Sequence, residues 1–174
     1  MSLDRTLLDC DVEQVIYHDI YDVPLQALRI PRDNGRWYES KYKTRWRVVE
    51  DVDLLIVGCD KKVYQLTIPK GMVTNLASRP WYTAFLIPRS QPGHYIAFVA
   101  HDYLYEFNTV IRIDNDEPVN VSRYFADQLM RRVLIDKDAP RWRTDAMYEA
   151  VRQFGAKTWK RYRARDHAPT PAKS

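Results

Sequence analysis

The sequence predicts an α+β fold, with antiparallel strands in the N-terminal half packed against about three helices in the C-terminal half. Three observations carry this prediction. Val, Ile, Trp and Tyr alternate with polar residues as far as Ile68, and apolar residues recur at spacings of three and four beyond Tyr95. Pro and Gly signals divide the segments between them. A chain of 174 residues that is 45% apolar and 13% aromatic can fold as one domain around one core.

The elements follow in order. Val12–Tyr21 reads as a strand, and Pro24, Pro31 and Asp33-Asn34-Gly35 punctuate the stretch after it. Trp46–Val57 is strand-like and ends in the run Leu54-Leu55-Ile56-Val57 before Gly58. Val63–Ile68 alternates Val63, Gln65 and Thr67 with Tyr64, Leu66 and Ile68, and Gly58–Lys62 is long enough to join the two as an antiparallel hairpin. Pro69-Lys70-Gly71 ends that strand, and Thr74–Pro80 forms a polar loop. A short helical or irregular piece runs to Pro88, and Ser90-Gln91-Pro92-Gly93 opens a central helix. In that helix Ile96, Val99, Ala100, Tyr103, Leu104 and Phe107 share one face, while Phe98, His101, Asp102 and Tyr105 form another side. The helix should therefore be buried on most sides.

Asp114–Pro118 reads as an acidic loop. Asn120 or Ser122 then caps a helix through Phe125, Leu129, Met130 and Val133, expected to lie antiparallel to the central one. Asp138-Ala139-Pro140 breaks it, and a third helix starts near Asp145 with Met147, Val151 and Phe154 on one face. After Gly155, Trp159 and the basic residues are expected to fray into a loose end. The organisation expected is a β-rich N-terminal extension over residues 1–45, an α+β core over 46–160 and a basic, flexible tail over 161–174.

Charge is unevenly placed. Lys157–Ser174 carries +5 of a net +4, so the remaining residues sum to −1. A nearly neutral body argues against a broad nucleic-acid footprint, whereas the tail suits phosphate or an acidic neighbour if it is more than a solvated helix end. No apolar run approaches the ~20 residues a spanning helix needs. Met1-Ser2-Leu3-Asp4-Arg5 has no apolar signal core, so a soluble, unexported protein is expected. Cys10 and Cys59 lack C-x-x-C spacing and read as two free thiols.

The chemistry centres on His101-Asp102, set in an otherwise apolar stretch. Burying an imidazole beside a carboxylate is costly unless both have partners, so the pair is either a satisfied structural knot or an active site. Tyr105 lies one turn on from His101, and Asp127 on the following helix could bond one ring nitrogen and leave the other to take a proton from water. Asp102, about 100° further round the helix, is a candidate oxygen ligand for a hard cation such as Ca²⁺. In the knot reading Arg123 pairs with Asp127 at i and i+4, and Asp102 caps the loop at Thr74 or Ser78. His18-Asp19 reads as surface, His94 as a helix-start residue and His167 as part of the loose tail. No His/Cys cluster has zinc spacing and no Gly-rich phosphate loop is present. The five Trp read as packing, although Arg141-Trp142-Arg143 would suit a protein interface.

Four blocks occur in order: Ile68-Pro69-Lys70-Gly71-Met72-Val73-Thr74-Asn75-Leu76-Ala77-Ser78-Arg79-Pro80, His101-Asp102-Tyr103-Leu104-Tyr105, Arg123-Tyr124-Phe125-Ala126-Asp127, and Ala150-Val151-Arg152-Gln153-Phe154-Gly155. Their pattern resembles a phage and prophage family known as domain of unknown function thirteen fifty-three, over roughly Val63 to Trp159. The resemblance implies phage origin, a host-cytoplasmic or virion location, and a site at His101, Asp102 and Asp127. Asn75 stands where the family pattern has Asp, which removes a charge from the loop it shares with Ser78.

The H-D-x-x-Y helix beside an Asp-bearing helix is also similar to the phospholipases A2. That similarity implies His101 as base, Asp102 on calcium, and Tyr105 and Asp127 in support, although the cysteine framework and a Gly-rich calcium loop are missing. Two functions are thus expected. One is a phage-encoded hydrolase using His101 and Asp127. The other is a virion component of tail or baseplate, docked to other phage proteins through residues 1–45 or the basic tail, with His101-Asp102 as a knot.

Overall fold

In the computed structural model, residues 7–17, 23, 25–31, 42–74 and 94–166 are described. The expected strand beyond Tyr17, the loop residues Asn75 and Ser78, and the pairs and histidines at His18-Asp19 and His167 lie outside the described residues.

The fold is α+β. Strands β1 (Leu7–Leu8), β2 (Val12–Tyr17), β3 (Leu25–Pro31), β4 (Tyr42–Val48), β5 (Val52–Gly58), β6 (Val63–Ile68) and β7 (Val73–Thr74) precede helix α1 (Tyr95–Phe107). A hairpin of β8 (Thr109–Arg112) and β9 (Glu117–Val121) follows, then helices α2 (Arg123–Asp136), α3 (Arg141–Phe154) and α4 (Ala156–Asp166). A six-stranded sheet runs β1-β9-β8-β6-β5-β2, and a three-stranded sheet runs β3-β4-β7. All pairs are antiparallel except β1 with β9, where Leu7 pairs with Asn120 and Leu8 with Val121.

The alternation read in the sequence sets the faces of β5 and β6. Val52, Leu54 and Ile56 point inward, as do Tyr64, Leu66 and Ile68. With Val110, Val119 and Val121 they form the floor on which α1 and α2 lie, through Ile96, Val99, Leu104, Phe125, Leu129 and Val133. Each such wholly buried Val, Leu, Ile or Phe contributes about 1.5–3 kcal/mol relative to exposure. The expected β5–β6 hairpin forms, with Lys61 in the left-handed region and its N–H donating to Gly58 O over 3.0 Å.

Four expectations are corrected. The stretch Trp46–Val57 is two strands in different sheets. Val48 closes β4 by pairing with Gly71 and Met72, and Asp51 turns out to accept from the backbone N–H of Lys70. Asp114–Pro118 is the tip of a hairpin, and Pro118 sits within β9. A missing N–H is tolerated there because β1 covers only Asn120 and Val121. Helix α3 starts at Arg141, because Pro140 O accepts from both Arg143 and Thr144 and so nucleates the first turn. The basic segment after Gly155 is a fourth helix through Asp166, so the first part of the expected flexible tail is ordered secondary structure.

The strands expected as an extension are built into the sheets. β2 is the partner of β5 along its length, and Val12, Val15 and Val23 belong to the core. Among the described residues, no helix is long and apolar enough to cross a membrane.

Candidate functional site

Helix α1 carries the site because its apolar residues bury it on most sides, as expected. Asn108 then ends it in a left-handed turn, with its N–H donating to Leu104 O. Helix α2 is placed by Ser122, whose side chain accepts from Phe125 N and whose own N–H donates to Leu8 O of β1. Packing α2 against α1 brings Asp127 beneath His101 and Tyr105.

The distances define a closed polar cluster. His101 Nε2 lies 2.9 Å from Asp127 Oδ1, and Tyr105 Oη donates to the same oxygen over 2.7 Å. Arg152 Nη1, from α3, donates to Oδ2 over 2.9 Å. Asp127 is 0% exposed and His101 8%, so what solvent access the pair has lies on the imidazole side. The ring centroids of His101 and Tyr105 lie 4.1 Å apart with the planes tilted by 36°, and Trp159 of α4 meets Tyr105 edge-on at 5.2 Å.

Electrostatics follow from these bonds. Burial by itself would push the Asp127 carboxyl up, but the hydrogen bonds from His101, Tyr105 and Arg152 and the charge facing it outweigh burial and hold it below the usual carboxylate value. Burial, reinforced by the Asp127 charge, pushes the Tyr105 phenol far up, so it stays a proton donor. An ionised carboxylate only accepts, so Nε2 of His101 carries the proton it shares with Asp127, and in the neutral ring the lone pair lies on Nδ1. Among the described residues, Nδ1 has no hydrogen-bond partner.

His101, Tyr105 and Asp127 thus come together as the sequence suggested. Arg123 does not pair with Asp127. Its Nη1 donates instead to the carbonyls of Val151 and Arg152, at 3.3 and 3.0 Å, and so caps the end of α3. Asp102 turns away from the cluster and accepts from the Thr74 hydroxyl, one residue before Asn75.

No group of three or more His, Cys, Asp or Glu gathers as a metal site among the described residues. Asp102, the candidate oxygen ligand, is engaged by the Thr74 hydroxyl just before loop residues 75–78, which lie outside the described residues. Arg152 is the member of the cluster that sequence reasoning missed. Its signal was present in the Ala150–Gly155 block, which was noted as a motif without a role for its arginine.

Fold and site together define an α+β domain whose two core helices enclose a histidine–carboxylate dyad. The chain belongs to the family described as protein of unknown function (DUF1353), whose model matches residues 46–151. No curated protein and no solved structure matches it.

Proposed function

We propose that this chain is a small hydrolase of phage origin in which His101 activates water. The observation that carries the reading is the dyad itself. A wholly buried carboxylate holds Nε2 of a slightly exposed histidine and is in turn held by Tyr105 and Arg152. This is the arrangement a general base needs, with one ring nitrogen anchored and the other carrying the lone pair. Water gives a proton to Nδ1 as its oxygen bonds to the electrophilic carbon or phosphorus. The imidazolium, stabilised by Asp127, then returns that proton to the leaving group. The order of histidine, tyrosine one turn on and aspartate on a second helix matches the phospholipase A2 resemblance. The resemblance of the four motif blocks to phage and prophage sequences supports the viral origin.

A second reading, a virion component with the cluster as a knot, is favoured by one observation. Asp102, the residue next to the dyad, is tied to Thr74. The two separate in one experiment. Wild type and His101→Asn are assayed against phospholipid, peptidoglycan and phosphodiester substrates, with melting temperatures recorded in parallel. The hydrolase reading expects one activity that falls at least about a hundredfold in the variant, with melting shifted by little. Equal rates for both chains on all three classes sink it, and a melting loss of several degrees with no activity in either chain identifies the knot.

A further inference from the structure

The last motif block, Ala150–Gly155, enters the reading above only through the bond from Arg152 to Asp127, and the structure assigns that arginine a more specific task. The titratable or charged side chains that the elements around His101 bring near the cluster include Tyr105 and Asp102 on α1, Asp127, Arg123 and Tyr124 on α2, Arg152 and Tyr148 on α3 and Arg163 on α4. Asp102 accepts from Thr74. Arg123 donates to the Val151 and Arg152 carbonyls. Arg163 donates to the Tyr105 and Glu106 carbonyls at 2.9 and 2.5 Å, and stacks over Trp159 at 4.9 Å. The cation that ion-pairs with Asp127 is therefore Arg152, at 2.9 Å.

A buried carboxylate without a cation would draw a second proton onto the neighbouring imidazole, and the lone pair that a base needs would be lost. We propose that Arg152 is a positioning residue for His101. By occupying Oδ2 and balancing the charge of Asp127, it leaves Oδ1 to take the Nε2 proton and keeps Nδ1 as the lone-pair nitrogen. Gly155 completes the arrangement three residues on. A Cβ there would lie 2.4 Å from Tyr105 Oη and 2.5 Å from Val151 O, so a side chain at the α3–α4 elbow would displace the hydroxyl that shares Oδ1. Arg152 and Gly155 both follow the segment matched by the family model, which ends at residue 151. The α3–α4 elbow gives the site both the guanidinium on Oδ2 and the room for the Tyr105 hydroxyl.

The inference rests on His101 as the base, and its test needs no substrate, so the two can fail separately. In the full chain at neutral pH, ¹⁵N-resolved proton spectra of the imidazole should show a single slowly exchanging ring N–H, at Nε2, for the wild type. Arg152→Gln should add an Nδ1–H signal or erase the Nε2–H signal, and Arg152→Lys should restore the wild-type pattern. A wild-type spectrum in folded Arg152→Gln overturns the proposal. Should Arg152→Gln fail to fold, Arg152→Lys decides alone: a retained single Nε2–H supports the charge-balancing role, and its loss in a folded protein overturns it.

Discussion

Asp127 accepts from three side chains on two other helices: His101 and Tyr105 on Oδ1, Arg152 on Oδ2. Its folded carboxyl lies below the usual value of 3.8, so the sign of its pH linkage is fixed. The stabilisation is fully present above the unfolded value and is lost as pH falls through the depressed folded value. Urea midpoints of wild type and Asp127→Asn, measured from pH 6 downward, should differ most near neutrality and converge in strong acid. At neutral pH the substitution should cost about 3 kcal/mol, the low end for breaking a buried pair because Arg152 keeps some solvent contact. The meeting of His101, Tyr105 and Asp127 was legible in the sequence, because i and i+4 spacing and a second Asp-bearing helix follow from periodicity. The choice of Arg152 over Arg123 was not. Arg123 has the right spacing to pair along its own helix, but the unsatisfied carbonyls at the end of α3 claim it.

Two helix ends hold the site in place, and each makes a prediction. Ser122 caps α2 five residues before Asp127, so Ser122→Ala should lower stability by about 1 kcal/mol in denaturant titrations without changing the m-value. Gly155→Ala should cost more, about 2–3 kcal/mol, because the new carbon meets both a hydroxyl and a backbone carbonyl at closer than van der Waals distance. Adding Tyr105→Phe removes the hydroxyl and not the carbonyl. The double variant should therefore recover only part of the loss attributable to the glycine change, which a double-mutant cycle measures. At this scale the sequence was clear where periodicity spoke and silent where tertiary partners decide. The β5–β6 hairpin and α1 follow from alternation and 3.6-residue spacing. The β8–β9 hairpin was masked by its acidic tip and by Pro118, whose tolerance depends on how far β1 reaches. Helix α4 has little apolar content of its own and is held by Trp159 and Arg163 against α1, a dependence that local composition does not reveal.

Across the whole molecule, the segment matched by the family model begins at residue 46, yet β2 lies along β5 and Leu8, Val12, Val15 and Val23 belong to the core. A chain starting at Trp46 would expose the edge of β5 and strip those side chains from the hydrophobic interior. Such a truncation should lose cooperative thermal unfolding and aggregate on size exclusion, while the full chain elutes as a folded species. The α+β class was readable because strands and helices segregate along the chain. The incorporation of the first strands was hidden because pairing across such separations leaves no local trace.

The parallel pairing of Leu7 and Leu8 with Asn120 and Val121, next to the Ser122 cap, has a kinetic consequence. Strand β1 is made long before β9 and has to wait for it before their ladder can close. Loop-closure entropy across that span makes docking of this strand a late event, and until then the ribosome-bound chain presents Leu8, Val12 and Val15 to water. Refolding after dilution from urea should be slow, and holdase chaperones added early should suppress aggregation far better than those added after β1 has locked onto β9.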